Sequence, residues 1–162
     1  MNRVAQPKDI SMGTIETMLR RHPRIDEHHL RDFAETLDAL TSCAEVCSAC
    51  ADACLAEEQV AKLRTCISLN LDCAEVCGAT ARLLVRQTEM PGPVVHAQLH
   101  ACVVACQACA DECESHAGMH DHCRICAETC HRCQEQCNYL LGEISASGTA
   151  ERVDPLESPP LS

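Results

Sequence analysis

Residues 123–137 read CRICAETCHRCQEQC and place cysteines at Cys123, Cys126, Cys130, Cys133 and Cys137, in steps of 3, 4, 3 and 4. An α-helix turns once in about 3.6 residues, so these steps keep all the thiols on one face. Such a face is ordinarily Leu and Val. The pattern recurs as CAEVCSACADAC at 43–54, CAEVC at 73–77 and CVVACQACADEC at 102–113. The chain therefore predicts helices that each turn a cysteine stripe toward one shared interior.

Apolar residues continue each stripe and set the helix limits. Leu30, Phe33, Leu37 and Leu40 lead into Cys43, Cys47, Cys50 and Cys54. A second stripe runs Cys66, Asn70, Cys73, Cys77, Ala81 and Leu84, with Asn70 standing at a cysteine-phase position. From Cys54 to Cys66 the face rotates by roughly 120°, so a turn is placed between about 56 and 62. Met90-Pro91-Gly92-Pro93 marks the next break. A third helix carries Val95, Leu99, Cys102, Cys106, Cys109 and Cys113 and ends near Gly118, read as its C′ residue. Asp121 is read as the cap of the fourth, and Asp26 as the cap of the first.

The resulting fold class is all-α: an antiparallel up-down-up-down four-helix bundle at 26–145. A segment at 1–25 precedes it, with a short helix over about 9–22 that Pro23 ends and whose apolar face is Ile15, Met18 and Leu19. A small, polar, proline-containing tail at 146–162 is expected to be disordered.

Composition narrows the function. The chain has 162 residues and 16 cysteines, with one Phe, one Tyr and no Trp, so the usual aromatic core is missing. Formal net charge is −11, which excludes nucleic acid and anionic membrane as partners. The first 25 residues show no secretory pattern, and no apolar run approaches the roughly 18 residues of a bilayer span. A cytoplasmic setting, where thiols stay reduced, follows as the expectation.

Why thiols? Neighbours at i,i+3 and i,i+4 have Cβ atoms about 5–6 Å apart, too far for the roughly 3.5–4.5 Å of a disulfide. Bonds between helices stay open on this ground alone. As packing, cysteine is a small hydrophobe that fills less volume than Leu. Metal binding explains the whole pattern, because adjacent and facing thiolates can share ions. Soft thiolates select Cu(I), Zn(II), Cd(II) or Fe–S clusters. Zinc favours closed tetrahedral sites, and the ferredoxin run C-x₂-C-x₂-C-x₃-C-P is not matched. A continuous ladder suits Cu(I), which accepts two-coordinate and bridged thiolates. A zinc- or cadmium-sequestering thiolate protein is the alternative.

The repeated C-x₃-C-x₂-C-x₃-C on four helices resembles the cytosolic bacterial copper storage proteins, over roughly residues 26–145. The resemblance implies storage and buffering of many Cu(I) ions per chain and a homotetramer of bundles. A copper chaperone or efflux protein would be the exchange partner. The metal-binding set is Cys43, Cys47, Cys50, Cys54, Cys66, Cys73, Cys77, Cys102, Cys106, Cys109, Cys113, Cys123, Cys126, Cys130, Cys133 and Cys137.

Antiparallel order makes the two ends unlike. Phe33, Leu37, Leu84, Val95, Leu99, Leu140, Leu141 and Ile144 should plug one end. The other collects Cys54, Cys66, Cys113 and Cys123 with the 116–122 turn. There His116, His120 and Met119 are put forward as further metal ligands at an entrance, because imidazole and thioether both bind Cu(I). His122 is ranked below them and left out of the set. The remaining histidines read as surface or packing residues. No enzyme is expected: CSAC, CQAC and CHRC lie mid-helix without the βαβ context of a thiol oxidoreductase, and no P-loop or dinucleotide fingerprint is present.

Overall fold

The computed structural model describes residues 13–25, 27–88 and 92–146. They form α1 (Thr14–Arg20), α2 (Glu27–Ala56), α3 (Arg64–Leu84), α4 (Gly92–His116) and α5 (Asp121–Ala146), with a 3-10 turn at Val60–Leu63 and no strand. α2 packs on α3 and α5, and α4 packs on the same two helices. Consecutive members are joined by short connections, so the bundle runs up-down-up-down, as the cysteine periodicity predicts.

Cysteine and leucine share the core by level. Every cysteine is a buried free thiol. At one end Phe33, Leu37, Leu84, Val95, Leu99 and Leu140 are buried, and Leu141 and Ile144 pack partly buried against them. This is the expected plug. The 56–62 turn forms without Gly or Pro: the Glu57 amide donates to Cys54 O at 3.4 Å and the Val60 amide to Glu57 O at 3.3 Å. Leu63, only 2% exposed, anchors the 3-10 turn on the core.

Several local expectations need correction. α1 is shorter than the 9–22 expected, and residues 9–12 lie outside the described residues. Only Leu19 of its apolar face is buried; Ile15 and Met18 are exposed. Asp26, the expected cap, also lies outside them, as does the expected tail beyond Ala146. Gly92 and Pro93 are the first two residues of α4 rather than part of a preceding break, which costs nothing because a first-turn amide has no intrahelical acceptor. Gly118 does not take the left-handed backbone of a C′ glycine, and a Cβ there would meet nothing within 4 Å. α4 is closed instead by the amides of Met119 and His120, both 3.0 Å from His116 O. Asp121 is the first residue of α5, not its cap. The His120 carbonyl accepts the first bonds of that helix, from the amides of Cys123 at 3.1 Å and Arg124 at 3.2 Å.

One class-level expectation also changes. Leu30–Ala56 and Gly92–His116 are long and apolar enough to cross a membrane by length and composition. Their apolarity is largely Cys and Ala, and the cysteine faces are turned into the bundle. Neither helix contains an unbroken apolar run of that length, because its Cys and Ala are interspersed with polar residues.

The plug carries stability separately from the thiols. Leu99 is fully buried there, so Leu99→Ala should cost about 2–5 kcal/mol in chemical denaturation of the metal-free protein. Metal capacity should be unchanged, since Leu99 stands one turn before Cys102 and holds no donor atom.

Candidate metal centre

The interior beyond the plug is a continuous network of sulfur. Cys137 Sγ lies 3.7 Å from Cys102 Sγ, which lies 3.4 Å from Cys77 Sγ. Cys77 continues to Cys106 at 3.6 Å and to Cys133 at 3.9 Å. Cys43 contacts Cys73 at 3.9 Å and Cys130 at 3.8 Å. Cys47 then reaches Cys130 at 3.5 Å, Cys126 at 3.7 Å and Cys109 at 3.9 Å. These separations are far beyond the roughly 2.05 Å of an S–S bond. They bring thiols of three or four helices around common points, as in Cys43, Cys77, Cys106 and Cys133, whose sulfurs all lie within 4.8 Å of one another.

Asn70 interrupts the thiols without interrupting the network. It is fully buried, and its carboxamide uses both ends. Oδ1 accepts from the thiols of Cys126 at 2.9 Å and Cys109 at 3.5 Å. Nδ2 donates to Cys66 O at 2.8 Å and faces Cys66 Sγ at 3.3 Å and Cys113 Sγ at 3.4 Å. A cysteine here would offer one sulfur; asparagine joins four thiols and leaves no buried polar atom unpaired. Beyond it lies an outer group, with Cys66 3.6 Å from Cys113, 3.9 Å from Cys54 and 4.0 Å from Cys123.

His122 completes that outer group, a role the sequence did not reveal. Its Nδ1 is 3.5 Å from Cys50 Sγ, 3.5 Å from Cys123 Sγ and 4.0 Å from Cys54 Sγ. These three sulfurs and Nδ1 lie within 4.8 Å of one another, a set that could hold a metal ion. The three residues preferred from sequence stand farther out. His116 Nε2 faces Glu112 Oε1 at 3.1 Å, and His120 Nδ1 faces Glu57 Oε1 at 3.0 Å. Met119 is 74% exposed. All three line a 450 Å³ cavity with Glu57, Lys62 and Leu63. They are brought together, but around an opening rather than around the sulfurs.

The electrostatics follow from burial. Desolvation opposes ionisation of the thiols. Cys123 is pushed up to about 12, first by burial and then by the neighbouring Cys54 and Cys113 charges. Deeper in, thiol–thiol hydrogen bonds raise Cys47, Cys77, Cys106 and Cys130 and lower Cys43, Cys73 and Cys102. A fully ionised interior would need cations among the sulfurs. At the surface, Glu57 lies below the ordinary carboxylate range, chiefly through its hydrogen bond from His122.

A bundle lined along its length by facing thiols has the donor set of a multi-ion store for a soft metal. The chain belongs to the copper storage protein family, whose model matches residues 29–142. A copper storage protein from Streptomyces lividans loaded with 10 copper equivalents is 45% identical, with a TM-score of 0.77 over 80% of this chain and 98% of that one. A cytosolic copper storage protein from the same organism, carrying five coppers, is 49% identical with a TM-score of 0.68, over 69% of this chain and 93% of that one. An uncharacterized cysteine-rich protein of Bacillus subtilis, YhjQ, is 35% identical over 104 residues, which are 64% of this chain and 91% of that protein.

Loading must exchange protons for metal. Cys123, pushed up to about 12, is a thiol at pH 7, and ligation needs thiolates, so uptake should acidify a weakly buffered solution. Apparent affinity should rise with pH, because protons compete less as pH climbs toward the raised thiol values. A pH-stat titration checks both.

Proposed function

We propose that this chain stores and buffers Cu(I) in the cytoplasm, holding many ions on the thiolates of its bundle interior. The observation that carries this is the ladder of thiols from Cys137 to Cys54, joined across its one interruption by the Asn70 carboxamide. Each thiol has further thiols or the Asn70 carboxamide around it, so ions can be added along the whole axis. Soft, monovalent copper suits such bridging better than a divalent ion that prefers isolated tetrahedral sites. Family membership and the copper-loaded relatives support the same metal.

The functional unit is residues 26–145, flanked by segments at 1–25 and 146–162. The ligands are its sixteen cysteines, joined by His122 through Nδ1. His116, His120 and Met119 receive copper at the opening and pass it inward. The protein catalyses no reaction on this reading. A homotetramer, and exchange with a chaperone or efflux protein, follow from the family resemblance.

An anaerobic titration of reduced protein with Cu(I), against a competing chelator and with thiols counted on the same sample, tests the reading. Tight uptake should continue to roughly one Cu per thiol. Saturation at one or two ions would overturn storage. Tight colourless loading with zinc or cadmium at about one ion per four thiols, with weak copper binding, would favour the alternative. The double variant His116→Ala, His120→Ala should slow uptake while keeping capacity within about one ion of wild type, since neither ring touches the inner sulfurs. Unchanged rates would count against the entrance.

A further inference from the structure

We propose that Glu57 is a positioning residue that sets the tautomers of both mouth histidines, so that His120 presents Nε2 at the opening and His122 presents Nδ1 to the thiols. The proposal rests on the reading of the bundle as a copper store and names how metal is handed from its opening to its sulfurs.

One carboxylate oxygen makes both contacts. Glu57 Oε1 is 3.0 Å from His120 Nδ1 and 3.2 Å from His122 Nε2. An ionised carboxylate only accepts, so each of these nitrogens carries its hydrogen and the lone pair of each neutral ring lies on the other nitrogen. The two rings are therefore set in opposite senses. For His122 the lone pair falls on Nδ1, the atom 3.5 Å from Cys50 Sγ and Cys123 Sγ. For His120 it falls on Nε2, on a ring that lines the outer cavity. The ring centroids are 5.3 Å apart, so the two imidazoles are direct neighbours at the mouth.

Without Glu57 the assignment is open. His122 could carry its hydrogen on Nδ1 and donate it to a sulfur, which would occupy the atom that copper needs. A carboxylate behind a metal-binding imidazole is a general device for fixing the ligand nitrogen. Here the carboxylate stands three residues after Cys54, and its backbone amide donates to the Cys54 carbonyl at 3.4 Å. The end of α2 thus delivers a sulfur ligand and the group that orients its imidazole neighbour together. Glu112 does not share this duty: it faces His116 Nε2 from within α4.

Long-range ¹H–¹⁵N spectra of metal-free, reduced, histidine-labelled protein read the tautomers, and stopped-flow transfer from a Cu(I) chelator reads loading. In wild type His122 should carry its hydrogen on Nε2 and His120 on Nδ1. Glu57→Ala should give His122 an Nδ1–H population and slow the first loading phase roughly 10-fold, with total capacity kept. Glu57→Gln can set its carbonyl oxygen where Oε1 lies and accept from both rings, so it should keep both tautomers while removing the charge. Asp52→Asn removes an equal charge from an exposed site near the end of α2 and should change neither readout. Unchanged tautomers in Glu57→Ala would overturn the proposal. So would slower loading without a tautomer change, which would make Glu57 a simple electrostatic attractor. Failure of wild type to take up copper would refute storage while the spectra still decide the role of Glu57.

Discussion

The interior of this bundle can ionise only if cations sit within it. Sixteen thiols from four helices are buried with sulfur separations of about 3.4–4.0 Å. Thiolates at that density, away from water, would repel one another far beyond what a protein of ordinary stability withstands. The metal-free fold is therefore a thiol fold, in which protons neutralise the ladder and weak S–H contacts link it. Copper loading must displace those protons. Storage capacity and the acid–base behaviour of the core are two consequences of the same packing.

This constraint explains why the two ends differ. A core that must exchange its cations needs a firm wall and an opening. The leucine-rich end closes the bundle with apolar volume that thiols cannot supply. The opposite end has short turns, a 450 Å³ cavity and imidazoles facing carboxylates, of which His122 also faces sulfurs. Asn70 lies between the outer and inner thiols and bridges them through its carboxamide. The axis is thus graded, from solvent-facing Met119 and His120, through His122 and the outer sulfurs, to the deep cysteines.

Most of the architecture was legible because cysteine itself reported the helical phase. Steps of 3 and 4 placed every thiol on an inward face, and the 120° mismatch between Cys54 and Cys66 located the first turn without Gly or Pro. The Leu and Val extensions identified the plug by the same periodicity. What failed was chemistry set by tertiary contact. His122 looked like a turn residue because its neighbours along the chain are Asp121 and Cys123. Its value comes from Cys50 and Cys54, which α2 brings across the bundle. Asn70 was recognisable by phase, but its four thiol partners belong to three helices. Gly118 and Asp121 were misread because capping rules assign roles by residue type. Here backbone amides donating to the carbonyls of His116 and His120 close the helices without them.

The central claim is that the whole thiol ladder, and not a single site at its mouth, is where the metal resides. Crystals of protein loaded anaerobically with excess Cu(I), measured at the copper absorption edge, test it most directly. The account predicts anomalous peaks strung along the bundle axis from Cys137 to Cys54, each between cysteine sulfurs. Peaks confined to the His116–His122 turn or to the acidic outer surface, with the inner cysteines still unligated thiols, would contradict it.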